Sequence, residues 1–392
     1  MFKKVRVSLS DFLEKCIIAR SKRNEIKKYK DPRRVSIFSS VKLSDEQKHQ
    51  IDVLYQTYYG EKIPHTWHRH FTAFTGRFDA KYFPELLFIP EFERYMSMYK
   101  EYAKVFTDKN MLSMLGNEAK VKTLKNYYTA TKGLYRDSEN HIVTETELLS
   151  GLRDIGEVFI KPTVDTSSGR GCFLANFKNG TELISGQSVE EIVSGLGKDF
   201  TVQQRLKCHK SISNLYDQSV NTFRVITYRW KNEIRVLPII MRIGSGGGHV
   251  DNAHAGGMFI AVEPDGRLHK TAFTEFKMEY TEHPDTHIPF EGYQIEHFSK
   301  IVDAAIRLQS CLPQMGCVNW DFTIDEDGEA VFIEANMNNG RHGGSIWLCE
   351  MAHGKGAFGD NTEEVLRWLG VMKKVPKSKW HLYEFGNLPD KK

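Results

Sequence analysis

Several things are scarce or missing in this 392-residue chain. It has six cysteines, at 16, 172, 208, 311, 317 and 349, and no two are spaced as CxxC. That excludes a disulfide framework and a cysteine-ligated zinc site, and suggests reduced thiols in a cytoplasmic protein. No apolar run approaches the roughly 18 residues of a membrane-spanning helix. Phe12-Leu13 and Ile17-Ile18 are too short for the apolar stretch of a secretory signal. Internal repeats, low-complexity tracts and a GxxxxGK[ST] phosphate loop are all absent. Net charge is also small, at +4, and no nucleic-acid partner is expected.

What is present is a globular composition, 27% charged and 40% hydrophobic, long enough for two or three domains. The charge is unevenly placed. Residues 1–34 hold twelve Lys/Arg against four Asp/Glu, net +8, which leaves −4 for the rest of the chain. Ser44-Asp-Glu-Gln47 has capping-box spacing and predicts a helix through about Tyr59. Residues 60–105 read as several short helices, with RYMSMYKEYAKVF (94–106) the clearest. His65, His68 and His70 lie together without an evident carboxylate or thiol partner, which suggests a packing or surface role rather than a metal site. From 157 onward the texture is strand-like, with helices expected over 188–196 and 294–309. This mixture predicts an α+β or mixed α/β architecture.

The most informative segment is CVNWDFTIDEDGEAVFIEANMNNG, residues 317–340. Asp327-Gly328 between two β-rich runs predicts a two-residue hairpin loop. Asp321 then lies opposite Glu334 and Asn319 opposite Asn336, all on one face. The other face would carry Val318, Trp320, Phe322, Ile324, Val331, Ile333 and Ala335. Two carboxylates and an amide held about 5 Å apart suit a hard cation such as Mg²⁺. A solvated hairpin face is the alternative.

Lys161 ends an apolar strand and precedes a loop with Ser167, Ser168, Gly169 and Gly171. Such a loop lets backbone N–H groups approach phosphate oxygens while the lysine supplies charge. A plain hairpin loop with a surface-seeking lysine would look the same. VQQRL, residues 202–206, reads as a connecting strand.

Taken in order, these features resemble the ATP-grasp superfamily, and most closely its sugar-transfer-associated branch. The family order is a DK lysine, a strand lysine before a glycine-rich lid, a hinge, then Asp, Glu and Asn around Mg²⁺. Here it reads Asp108-Lys109, Lys161 with Ser168-Gly169-Arg170-Gly171, Gln203–Leu206, then Asp321, Glu334 and Asn336. VDNAHAGG (250–257) is similar to a loop of the glutamate-ligase and glutathione-synthetase branch. The resemblance spans roughly 105–370 and implies an ATP-grasp fold, α+β, with a mainly helical N-terminal extension. It implies ATP bound by Lys109, Lys161, Ser168, Gly169, Gly171, Gln203, Gln204 and Leu206, and Mg²⁺ held by Asp321, Glu334 and Asn336. Two departures stand out. Gln203 and Lys210 occupy places that usually carry acids, and Asn319 stands where an arginine often precedes the metal-binding Asp.

Arg224 and Arg242 are the candidates to replace that arginine. A turn at Lys231-Asn232 puts Arg224 opposite Ile239 and Arg242 opposite Asn221, on opposite faces unless Pro238 makes a bulge. Asn252 is expected near nucleotide or substrate, with His249 and His254 as acid–base candidates beside it. The expected divisions are 1–105, a basic arm and helical extension; 106–206, the first ATP-grasp part with the lid; 207–375, the part with the metal site; and a tail, 376–392. The activity implied is amide formation between a carboxylate and an amine through an acyl phosphate. A sugar or cell-envelope glycan precursor and an amino acid are the partners expected from family association. A sugar kinase and a non-catalytic nucleotide-binding component of a glycan assembly complex remain open. The +8 arm lies outside the resemblance. It is expected either to dock on an anionic membrane, polymer or enzyme, or to be a solvated helix packed on the body.

Overall fold

The computed structural model describes residues 2–106, 108–163, 171–247, 251, 256–337 and 346–389. Among these, the first strands are β1 Lys122–Thr123, β2 Asn126–Thr131, β3 Leu134–Asp137, β4 Ile142–Val143, β5 Gly156–Pro162, β6 Phe173–Lys178, β7 Thr181–Glu182 and β8 Phe200–Gln204. The later ones are β9 Thr222–Trp230, β10 Glu233–Val236, β11 Ile239–Ile243, β12 Met258–Val262, β13 Ala272–Phe273, β14 Glu279–Tyr280, β15 Cys317–Ile324 and β16 Ala330–Asn336. They form two sheets. The small one, ordered β4-β3-β2-β8-β5-β6-β7, is antiparallel throughout. The large one is ordered β1-β16-β15-β9-β11-β12-β13-β14, with β10 also on β9, and only β1 runs parallel to its neighbour.

The N-terminal layer is helical: α1 Phe2–Lys28, α2 Pro32–Ser39, α3 Asp45–Tyr58 and α4 Thr66–Thr75, followed by short turns. Local sequence explains their ends. Asp31 caps α2 ahead of Pro32, and Ser44 and Gln47 complete the predicted capping box of α3. Gly76 closes α4 in the left-handed conformation, with φ 72°. Thr144/Glu147 and Ser188/Glu191 repeat the capping box on the two helices beside the small sheet. His68 and His70 pack inside this layer, while His65 does have a carboxylate partner, Asp52, 2.8 Å away.

β9 shows how the cores are divided. Its Phe223 and Val225 join a core with helices Leu112–Ala119 and Ser299–Ser310. Its Ile226, Tyr228 and Trp230 join the core beneath the N-terminal layer and helices Ile346–His353 and Thr362–Met372. A third core lies under the small sheet.

Some expectations need correction. Strands begin at Lys122, not 157. β2 and β3 are mostly half-buried, without the clean alternation that marks a strand in sequence. RYMSMYKEYAKVF is not one helix: Glu93–Met96 stops at Ser97 (φ −118°, ψ 62°) and a new helix runs Lys100–Phe106. The 294–309 helix starts only at Ser299, although Ile295 and Phe298 are buried ahead of it. Leu112–Ala119 and β1 pack with the large sheet, so the small sheet takes only 126–204. Trp380, in the expected tail, is buried in the N-terminal core.

Candidate active site

The β15–β16 hairpin makes the expected pairs, Asp321 with Glu334 and Asn319 with Asn336. Its tip differs from the expected two-residue loop. Asp325 N donates to Glu329 O and Gly328 N to Asp325 O, so 326–328 form a three-residue loop with Gly328 at φ 76°. This shifts the register at the tip by one, pairing Phe322 with Phe332 and Ile324 with Ala330. A bulge at Ile333 shifts it back before the carboxylates are reached. As a result Phe332, not Val331 or Ile333, packs with Trp320 and Phe322, at ring distances of 5.6 and 5.9 Å.

A second shift brings in the arginines. β10 keeps the predicted turn register, Glu233 opposite Trp230. Beyond Leu237 and Pro238 the pairing slips by one, placing Ile240 opposite Arg224 and Arg242 opposite Thr222. The expected placement of Arg224 and Arg242 on opposite faces is thereby overturned: both arginines face Asp321. Arg224 Nε donates to Asp321 Oδ1 at 2.6 Å and its NH2 to Oδ2 at 3.2 Å, and Arg242 NH2 stands 3.3 Å from Oδ2. Asn336 Nδ2 adds a contact to Oδ2 at 3.4 Å. Burial alone would raise the Asp321 carboxyl, but the two guanidiniums hold it below its usual range.

Asp251 also belongs to this charge cluster, and no periodicity or spacing marks it out in the chain. Buried beside Arg242 (3.6 Å), it accepts bonds from the backbone N–H (3.0 Å) and hydroxyl of Thr222. Its carboxyl is raised, by burial above all. Asn319, in the place of the family arginine, donates to Glu93 Oε1 at 3.4 Å. Its amide oxygen is buried without a hydrogen-bond partner.

The small sheet faces this cluster with Lys161, at the end of β5 and only 6% exposed. Burial, and then the charge of Lys109, push its amine down to about 8, while Glu334 opposes the shift. Lys109 sits in a short turn capped by the Asp108 carboxylate, which accepts from Asn110 N at 3.0 Å. It lines a crevice between the sheets together with Leu112, Thr123, Asn126, Gln203, Phe332 and Ile333. The bulge therefore turns Ile333 into the crevice instead of the core. Gln203 is buried there; its Nε2 donates to Asn126 Oδ1 at 2.6 Å and its Oε1 has no hydrogen-bond partner. Gln204 is exposed, with its backbone N–H on Lys125 O, and Leu206 is half-buried in the link between the sheets; neither lines the crevice. Lys210 is exposed at the start of the turn Lys210–Ser213. Gly171 has φ 76°, and a Cβ there would come 3.1 Å from Pro162 Cγ. Ser168, Gly169, Arg170, His249, Asn252 and His254 lie outside the described residues.

The family described as sugar-transfer associated ATP-grasp matches residues 90–365. The chain belongs to that family. ATP and Mg²⁺ are the cofactors of this ATP-grasp fold. No curated protein matches the chain. Solved structures similar to it include D-alanyl-alanine synthetase A from Vibrio cholerae O1 biovar eltor (11% identity, TM-score 0.40, 68% of this chain and 65% of that one). D-alanine–D-alanine ligase from Bacillus anthracis is another (13%, 0.38, 69% of each). A third is N5-carboxyaminoimidazole synthase from Aspergillus clavatus, in complex with ADP and 5-aminoimidazole ribonucleotide (11%, 0.36, 62% of this chain). The chain spans about half the length of that last enzyme, 48%.

The residues present fit an ATP-grasp ligand set. Two carboxylates and an amide side chain share one face of one hairpin, which is donor chemistry for a hard divalent cation. Two lysines lie across from them, and the crevice beside Lys109 offers apolar walls with an orphaned acceptor, Gln203 Oε1, able to take an N–H.

Proposed function

We propose that the protein is an ATP- and Mg²⁺-dependent ligase that joins a carboxylate to an amine through an acyl phosphate. The carboxylate or the amine would belong to a sugar or cell-envelope polysaccharide precursor, with an amino acid as the other half. The observation that carries the reading is the convergence of Arg224 and Arg242 on the Asp321–Glu334 pair, opposite Lys161. Such a site can position and neutralise a phosphoryl group in transfer, and that reaction needs little covalent help from the protein.

ATP with Mg²⁺ supplies the activation: the γ-phosphoryl group passes to a carboxylate oxygen, ADP leaves, and the amine then displaces phosphate. Asp321, Glu334 and Asn336 would hold the metal, and Lys109 and Lys161 the phosphates. Gln203 and Ile333 would seat the base. Arg224 and Arg242 would balance the charge on the transferred group, in place of the arginine that Asn319 replaces. Ser168, Gly169, Gly171 and Asn252 keep the lid and loop roles that the family order assigns them. The family description supports the polysaccharide setting.

ADP release tests the proposal when measured with cell-envelope sugar precursors and each amino acid in turn. Turnover should require both a carboxylate and an amine. Hydroxylamine should intercept a hydroxamate, and Asp321→Ala should abolish turnover with the melting curve largely retained. A stable phosphoester product would instead identify a kinase.

A further inference from the structure

α1 sorts its side chains in a way that the ligase reading does not use. Its inward line is fixed to the body. Asp11 accepts from Lys377 N at 2.8 Å, Glu14 pairs with Arg94 and Lys377, and Lys22 donates to Tyr59 Oη at 2.9 Å and pairs with Glu91. Ile18 packs on the N-terminal core and Glu25 is buried. The outward line begins apolar: Leu9, Phe12, Leu13 and Ile17 are 57%, 62%, 52% and 44% exposed. Their spacing of three, four and eight residues from Leu9 keeps them near one face of a helix. Further along, the same face carries exposed Arg20, Arg23 and Lys27.

No acid dilutes that face. All four acids of residues 1–34 are withdrawn: Asp11, Glu14 and Glu25 as described, and Asp31 into the cap of α2, where it also pairs with Arg33. Exposed Arg20, Arg23 and Lys27 thus stand, with no acid between them, next to a cluster of bare hydrophobic side chains. Bare apolar side chains of this kind are costly to leave in water, and with bases beside them they suit a surface that is both apolar and anionic.

We infer that the outward face of α1 docks the protein on an anionic lipid surface, lying in its plane. No described helix is long and apolar enough to cross a membrane. Leu9, Phe12, Leu13 and Ile17 enter the acyl boundary while Arg20, Arg23 and Lys27 meet the headgroups. An acidic polymer would match the charge and leave the four apolar residues without a use. The remainder of the chain, net −4, is weakly repelled from the same surface, which favours the orientation with α1 down.

The full-length protein can be tested by co-sedimentation with vesicles of phosphatidylcholine alone or with about 30% phosphatidylglycerol. Binding is expected only to the anionic vesicles and should weaken as salt is raised. The triple variant Leu9→Ser, Phe12→Ser, Leu13→Ser should bind about tenfold more weakly with an unchanged melting temperature, because these side chains are exposed. Arg20→Glu with Arg23→Glu should do the same. Failure of the wild type to bind, or binding that neither variant weakens, overturns the inference. So does loss of self-association as the only effect of the triple variant, which would assign the face to a second copy. None of these readouts depends on turnover, so the ligase reading stands or falls separately.

Discussion

At the scale of single residues, Lys161 is the candidate phosphate-binding side chain whose chemistry its surroundings visibly alter. Its amine is buried and pushed down to about 8, so in the nucleotide-free protein it is losing its proton just above neutral pH. Phosphates beside it would restore the charge. ATP affinity should therefore fall as pH rises through 8, and binding near pH 8–9 should take up a proton. Calorimetry in buffers of different ionisation enthalpy measures this directly; no uptake would remove Lys161 from the phosphate site. Asp321 and Glu334 were legible in the sequence because strand parity and an apolar opposite face specify their pairing. Asp251 was not. A single acid inside a glycine-rich stretch has neither period nor partner until β9 and β11 bring Thr222 and Arg242 beside it.

At the scale of elements, two one-residue shifts decide the site. The slip after Pro238 puts Arg242 on the face of Arg224, and the bulge at Ile333 re-aims that side chain into the crevice. A bulge changes parity without changing composition, so alternation alone cannot locate it. Proline is the exception, since it cannot donate to the ladder, and Pro238 was a visible warning. The hairpin shows the opposite accident: the longer loop and the bulge cancel, so the carboxylate pairs were right although the loop was not. Ile333 is half-buried, and trimming it should affect the crevice more than the fold. Ile333→Ala is expected to weaken ATP binding by about 1 kcal/mol, the scale of losing a few partly buried methylenes. The melting temperature should hardly move. Nucleotide titration and a thermal melt on the same sample separate the two effects, and a large stability loss with normal affinity would contradict the placement.

At the scale of the whole molecule, the helical layer and the site share one face of the large sheet. Along β9, Thr222 and Arg224 belong to the charge cluster, while Ile226, Tyr228 and Trp230 belong to the core under the helices. The Ser44 capping box announced one helix of this layer and the 60–105 stretch was read as several short ones; that the layer would cover the same face as the carboxylates was a long-range matter no local pattern carries. The layer also makes the protein acid-sensitive. Burial pushes His68 down to about 4 and His70 to about 3, and His353, on the adjoining helix, to about 4. In the unfolded chain these rings titrate near 6.5. Below that pH the unfolded state binds protons that the folded state refuses, so stability is full above about 6.5 and declines as pH falls toward 4. Each ring accounts for about 3 kcal/mol of that decline. Chemical denaturation at pH 7 and pH 4.5 checks it, and His70→Phe, set among Tyr29, Phe71 and Phe74, should flatten the slope.

The clamp on Asp321 has one more consequence. Two guanidiniums already engage both oxygens of this carboxylate, so a lone divalent cation arriving there finds its ligand atoms taken and two fixed positive charges beside them. A cation can claim an Asp321 oxygen only if a guanidinium turns away, and a displaced guanidinium needs another anion to face. Phosphate oxygens would meet that need. The site then works as an interlock: metal and nucleotide enter together or weakly. Mg²⁺ titrated without nucleotide should bind poorly, whereas Arg242→Met should accept the bare ion more readily and hold Mg²⁺–ATP less well.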